Sequence, residues 1–204
     1  MTTEIRMDTP SHNGPDNGPD NGPDNGPDNG PDNGPHTGPE RQAAGRIWRF
    51  GDNVDTDAMA PATQMKGGIE QIARHCLAGL RPEFPATVRP GDVVVGGRHF
   101  GVGSSREQAP QALRHLGVAA VIAPSFAGLF YRNALNLGLP ALVCADTARL
   151  VDGEHATLDL ENAAVVLPDG GRVPCEPIPA FLLDMLRAGG LIPHLKRRLA
   201  QQRA

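Results

Sequence analysis

An α/β fold on a largely parallel central sheet, with a C-terminal β segment and helices, is predicted by three observations. Short apolar strand candidates alternate with helical patterns between residues 92 and 144, glycines and prolines punctuate each change of pattern, and further strand-like runs follow. The 204-residue chain divides at about residue 45. Before it there are almost no apolar side chains, and from Asn13 the unit Asn-Gly-Pro-Asp repeats five times before decaying through His36 and Glu40. A four-residue period with no apolar member has nothing to bury, so residues 1–44 are expected to be a disordered low-complexity tail. Its aspartates lack the helix-flanked loop of a calcium site. Residues 45–204 are long enough for one domain with a buried sheet.

Within that domain, Gly45-Arg46-Ile47-Trp48-Arg49-Phe50 alternates as a strand does and ends at the turn signal Gly51-Asp52-Asn53. Ile69, Ile72, Ala73, Cys76 and Leu77 fall at helical spacing, closed by Gly79. Residues 92–95, 118–123 and 141–144 are buried-strand candidates, separated by a helical pattern through Ala109, Ala112, Leu113 and Leu116 and by a second one. The second is predicted to start with Ser125 as N-cap, to repeat its apolar face through Phe126, Leu129, Phe130, Ala134 and Leu137, and to stop at Gly138 with Pro140 beyond. Residues 157–160 and 165–167 flank Pro168-Asp169-Gly170-Gly171, a terminal β segment. A helix over residues 178–188 breaks at Gly189-Gly190. Lys196, Arg197, Arg198 and Arg203 then read as a solvated helix face, with contact to an acidic partner as the alternative.

Composition narrows the function. A formal charge of −4 gives no basic footprint for nucleic acid. No apolar run approaches the roughly 20 residues that span a bilayer, and no apolar signal core stands near the N-terminus, so a cytoplasmic protein is expected. The odd set Cys76, Cys144 and Cys175 reads as buried structural thiols. Neither Cys-x-x-Cys nor His-Glu-x-x-His occurs, so no metal is expected on this chain alone.

Chemistry concentrates at Gly101-Val102-Gly103-Ser104-Ser105-Arg106-Glu107, between a strand and a helical pattern, where backbone N–H groups can converge on an anion such as a small carboxylate. Arg106 can grip a carboxylate through two parallel hydrogen bonds. Ser104 can act on a proton beside it if donors in a dry site hold its alkoxide. The same spacing, Ser104-x-x-Glu107, also matches a capping box, and on spacing alone that reading is preferred. Pro110 counts against it and moves the expected helix start towards Ala109. A dinucleotide or phosphate loop fails for want of a third glycine and of Gly-Lys-Ser or Gly-Lys-Thr.

Gly51-Asp52-Asn53-Val54-Asp55-Thr56-Asp57, Gly103-Ser104-Ser105-Arg106-Glu107, Ser125-Phe126 and the stretch from Phe130-Tyr131-Arg132-Asn133 to Leu139-Pro140 together resemble the small subunit of 3-isopropylmalate dehydratase, and Gly189-Gly190-Leu191-Ile192 is similar too. The resemblance runs from about Gly45 to Arg198. It implies the swivelling β/β/α domain of the aconitase superfamily, and a hydro-lyase completed by a large subunit that carries a 4Fe-4S cluster. It further implies that Ser104 is the base, that Ser105 and Arg106 hold substrate carboxylate, and that Thr56 and Asp57 stand at the active-site rim, Thr56 against substrate and Asp57 as a catalytic residue. Alone, Thr56-Asp57 reads as a turn or N-cap pair.

The resemblance sets the substrate less tightly. The loop expected to face the variable end of the substrate, from Ala58 to Lys66, offers small apolar residues that suit a branched malate, and Lys66 reverses that ranking if it points inward. Leucine biosynthesis through 2-isopropylmalate and 3-isopropylmalate leads, with 2,3-dimethylmalate and homoaconitate as alternatives. His99 stands where the family often has Asn and reads as a structural histidine. A non-catalytic dicarboxylate-binding module is the rival from another class.

Overall fold

The computed structural model describes residues 44–203, so the repeat tail lies outside the described residues up to position 43. The chain forms β1 (Gly45–Arg49), α1 (Thr56–Met59), a 3-10 turn at Ala62–Gly67, α2 (Gly68–Ala73), α3 (Phe84–Thr87), β2 (Val93–Val95) and α4 (Gln108–His115). It continues through β3 (Ala120–Ala123), α5 (Gly128–Asn136), β4 (Ala141–Val143), β5 (His155–Asp159), β6 (Ala164–Val166), β7 (Arg172–Pro174), α6 (Ala180–Arg187) and α7 (Leu191–Gln202). The seven strands form one sheet in the order β4-β3-β2-β1-β5-β6-β7. The pairings from β4 to β1 are parallel, and those from β1 through β5 and β6 to β7 are antiparallel. This is the predicted parallel unit with the predicted terminal β segment attached to its free side.

The sheet curls until its outer strands meet. Glu176 donates its N–H to the Val143 carbonyl at 2.7 Å, and the Cys144 thiol lies 3.5 Å from the Pro174 carbonyl. Curling in this way satisfies edge groups that an open sheet would leave to solvent.

Alternation in β1 predicts one buried face, yet Ile47 and Trp48 are both fully buried. The physical reason is position: β1 lies mid-sheet with a core on each side. Trp48, Val94 and Val121 belong to one core, with Phe84, Phe100, Leu113 and Phe130, while Ile47, Val93 and Ile122 belong to the other, with Leu142, Leu158, Val165 and Met185. The indole N–H of Trp48 donates to buried Asp92 at 2.8 Å, and Asp92 also accepts from the backbone N–H groups of Arg46 and Arg89. The guanidinium groups of Arg46 and Arg81 lie 4.1 and 4.8 Å from the indole centre, in cation–π range.

Several local expectations need correction. Ser125 caps no helix: α5 begins at Gly128 with Ala127 at the cap position, and the Ser125 hydroxyl instead accepts the His99 N–H at 2.9 Å. The predicted end of that helix stands, with Gly138 at φ 78° just past it. Leu129, placed on its apolar face, is 46% exposed. The helix expected from Ile69 to Leu77 stops at Ala73, because Leu77 turns left-handed at φ 58° and gives its N–H to the Ala58 carbonyl. Cys76 and Cys144 are buried as expected, whereas Cys175 is only half-buried. Burial pushes the Cys76 thiol far up, which keeps it inert.

Candidate active site

Two loops leave the C-terminal ends of the adjacent parallel strands β1 and β2 and zip together, the place where parallel sheets present ligand-binding groups. Gly97 donates to Gly51 at 2.9 Å, Asn53 to Arg98 at 2.8 Å, Gly101 to Val54 at 2.7 Å and Thr56 to Val102 at 2.8 Å. An isolated parallel bridge joins Asp55 to Val102. The ladder therefore delivers α1 and the Ser104 loop to the same spot, although 48 residues separate Thr56 from Ser104.

At that spot Asp55 caps α1 by accepting the Ala58 N–H at 2.7 Å, so Thr56 and Asp57 open the helix. Thr56 is 1% exposed and faces Ser104. Its Oγ1 accepts the Ser104 backbone N–H at 3.0 Å and lies 3.2 Å from the Ser104 hydroxyl. With that N–H already accepted by Oγ1, the Thr56 proton is free to point at Ser104 Oγ, where it would stabilise negative charge. Gly103 makes this approach possible at φ 110°, since a Cβ there would stand 3.0 Å from Thr56 Oγ1.

Ser104, Ser105 and Asp57 are exposed, and Arg106 is half-buried. One terminal nitrogen of Arg106, Nη1, donates to the Asp57 carboxylate and to the Ala60 carbonyl. Those bonds turn the Nε and Nη2 edge loose: among the described residues that edge has no partner, and it is the edge that binds a carboxylate with two parallel bonds. Asn133 of α5 donates from its amide to the Ser105 carbonyl at 3.2 Å. The capping box preferred on spacing does not form, since α4 starts at Gln108 with Glu107 at its cap position and no side-chain cap bond.

All five sequence-predicted site residues therefore fall in one cluster, with Thr56 buried beneath exposed Asp57, Ser104 and Ser105 and half-buried Arg106. Sequence reasoning assigned nothing to Asn133, although it quoted the motif containing it. Lys66 is exposed, and His99 is exposed with its ring 3.3 Å from the Asn53 side-chain oxygen. His99 also has φ 58°, a left-handed conformation that His and Asn tolerate better than most residues. Among the described residues, no three His, Cys, Asp or Glu side chains gather as a metal site.

Comparison with known proteins decides the family. Residues 83–147 match the aconitase C-terminal domain. The 3-isopropylmalate dehydratase small subunit of Halothermothrix orenii is 44% identical over 155 residues, 74% of this chain and 94% of that protein. This chain belongs to the 3-isopropylmalate dehydratase small-subunit family. The family's substrates differ among members: a methanogen homoaconitase small subunit of Methanothermobacter thermautotrophicus is 47% identical over 152 residues, 74% of this chain and 88% of that one. A crystal structure of 3-isopropylmalate dehydratase from Methanocaldococcus jannaschii superposes with a TM-score of 0.73 at 42% identity, over 78% of this chain and 96% of that one. The curled α/β domain is thus the fold of the dehydratase small-subunit family. Among the described residues no helix is long and apolar enough to cross a membrane.

Proposed function

We propose that this chain is the small subunit of a cytoplasmic hydro-lyase that interconverts 2-isopropylmalate and 3-isopropylmalate by dehydration and rehydration, in leucine biosynthesis. The observation that carries the proposal is the exposed Ser104 hydroxyl, held by buried Thr56 beside the open edge of Arg106. Residues 45–204 act as one swivel domain, and the repeat tail takes no part in catalysis.

In this reading Arg106 and exposed Ser105 hold a substrate carboxylate, which fixes the adjacent C–H bond against Ser104. Ser104 Oγ removes the carbon-bound proton during dehydration and returns it during rehydration. Thr56 donates to the oxygen as charge builds there, so the alkoxide is met by a donor already in place. Asp57 keeps Arg106 turned towards the substrate. The partner is a large subunit holding a 4Fe-4S cluster, which when bound supplies Lewis acidity at the substrate hydroxyl and carboxylate. The donor chemistry here fits that division, because none of the five clustered residues is a thiolate, the usual cluster ligand.

Ala60, itself fully buried, accepts an Arg106 hydrogen bond at its carbonyl; Ala58 is half-buried, and Lys66 further along the loop is exposed. The small apolar composition of the loop from Ala58 to Met65 suits a branched alkyl end, so 2-isopropylmalate leads over homoaconitate, with 2,3-dimethylmalate close behind. The test is reconstitution with a cluster-loaded large subunit, followed by proton NMR of each acid. Turnover is expected only in the complex and fastest on a branched malate. Turnover by the isolated chain in a chelator contradicts the proposal. Tight calorimetric binding of a malate to the isolated chain, with no turnover in the complex, replaces it with a dicarboxylate-binding module.

A further inference from the structure

The segment that bears the candidate base is poorly supported by its own backbone. Val102 closes the ladder from the first loop, and the next backbone bond downstream is a long one, from Ala109 to Arg106 at 3.4 Å. Between them, among the described residues, two side chains hold the main chain of residues 103–105. Thr56 takes the Ser104 N–H, and Asn133 gives its amide proton to the Ser105 carbonyl. The first tether comes from α1 and the second from α5.

Helix α5 meets the segment at two points on one face. Phe130 and Asn133 are three residues apart, so they share a side of the helix. Phe130 packs so closely against Gly101 that a Cβ on that glycine would stand 2.2 Å from the ring. Phe130 is itself 2% exposed and stacks edge-on against Phe100 at 5.3 Å. The apolar contact fixes the start of the segment, and the amide contact fixes it four residues later. Asn133 thereby sets the direction of the peptide unit that joins Ser105 to Arg106.

We infer that Asn133 is a positioning residue of the dehydratase, holding the Ser105 carbonyl so that the Ser104 hydroxyl and the Arg106 guanidinium face substrate together. The inference rests on the proposed function for its catalytic consequence and on geometry alone for the tether. Asn133 touches no reacting atom in this role. Its substitution therefore lowers the rate of proton transfer more than it weakens substrate binding, because misplacement of a base by a fraction of an ångström acts chiefly on the transition state.

Asn133→Asp keeps the shape but turns the donor into a carboxylate that repels the Ser105 carbonyl. Amide hydrogen exchange on the isolated chain is expected to speed up by about fivefold or more at Ser104, whose N–H is held by Thr56, and to stay unchanged in β1–β4; no change at Ser104 overturns the tether. In the reconstituted complex, kcat is expected to fall by about 10-fold to 100-fold with KM within about threefold of wild type. Asn133→Gln, which can still reach with an amide proton, is expected to recover part of kcat. A kcat within twofold of wild type for Asn133→Asp, or a loss that tracks failure to assemble with the large subunit, overturns the inference. Ser104→Ala run alongside separates the two failures. An active Ser104→Ala complex sinks the proposed function, whereas an inactive one beside a fully active Asn133→Asp complex sinks the positioning role alone.

Discussion

Thr56 gives a sharp test at the scale of a single residue, because its hydroxyl makes both contacts with Ser104 and its methyl sits in the packing. Thr56→Val keeps the shape and removes the oxygen. The unfolding free energy is expected to fall by about 1–2 kcal/mol, the net worth of the two hydrogen bonds lost. By contrast kcat is expected to fall by about 10-fold to 100-fold, and Thr56→Ser is expected to recover most of it. Asp57→Asn should act differently, weakening the hold on Arg106 and raising KM by about fivefold to 20-fold with a smaller change in kcat; steady-state kinetics on the complex separates the two patterns. Serine and arginine were legible in the sequence as chemical types at a strand end. Their supports were not, because Thr56 and Asn133 reach the loop across 48 and 28 residues of chain, and no local spacing encodes such a contact. The capping box was misleading for a related reason: Pro110 and the zipped loop delay the start of α4 past Glu107.

Elements place the site through two close approaches. Gly101 has φ 79°, and its missing Cβ leaves room for Phe130 of α5. Gly101→Ala brings both left-handed strain and overpacking, so the unfolding free energy should drop by about 2–4 kcal/mol in urea titration. On the far side of the sheet, the hydrogen bonds from Arg172 and Asn162 hold the Asp159 carboxyl of β5 down at about 2. A carboxyl depressed in the folded state stabilises above its unfolded value near 4 and loses that contribution as pH falls through about 2. Asp159→Asn should therefore lower stability by less than about 1 kcal/mol at pH 6, since the pair is open to solvent, and by almost nothing at pH 2. Urea midpoints at the two pH values measure this. Strands β2, β3 and β4 were legible because short apolar runs bounded by glycine and proline leave few other readings. The Ser125 cap was misplaced because its hydroxyl serves the His99 N–H, a partner 26 residues away. Strand β7 escaped notice because Val173 is its one buried apolar residue, set between exposed Arg172 and Pro174.

At the scale of the whole molecule, the parallel unit carries the site and the antiparallel strands close the back of the sheet. The closure at Val143 and Glu176 makes one curled body of segments the sequence showed only as separate strands. Periodicity fixes which face a strand buries, yet it says nothing about how far a sheet bends, so the α/β class was readable and the closure was not. The same holds for β1, whose two-sided burial follows from its central place between the parallel and antiparallel halves. One consequence is that Ser104, Ser105 and Asp57 lie open to solvent over buried Thr56, so catalysis at Ser104 would require another molecule to exclude water. Ser104 is exposed in the isolated chain, and an alkoxide there would be quenched by solvent.

Ser104 is proposed to move the carbon-bound proton once a partner covers it. The most direct measurement is the exchange of that proton with deuterated solvent in wild-type and Ser104→Ala complexes of matched assembly. Exchange in the variant is expected to fall by about 10³-fold or more while substrate still binds. Exchange within about threefold of wild type would contradict it and move the base to another residue.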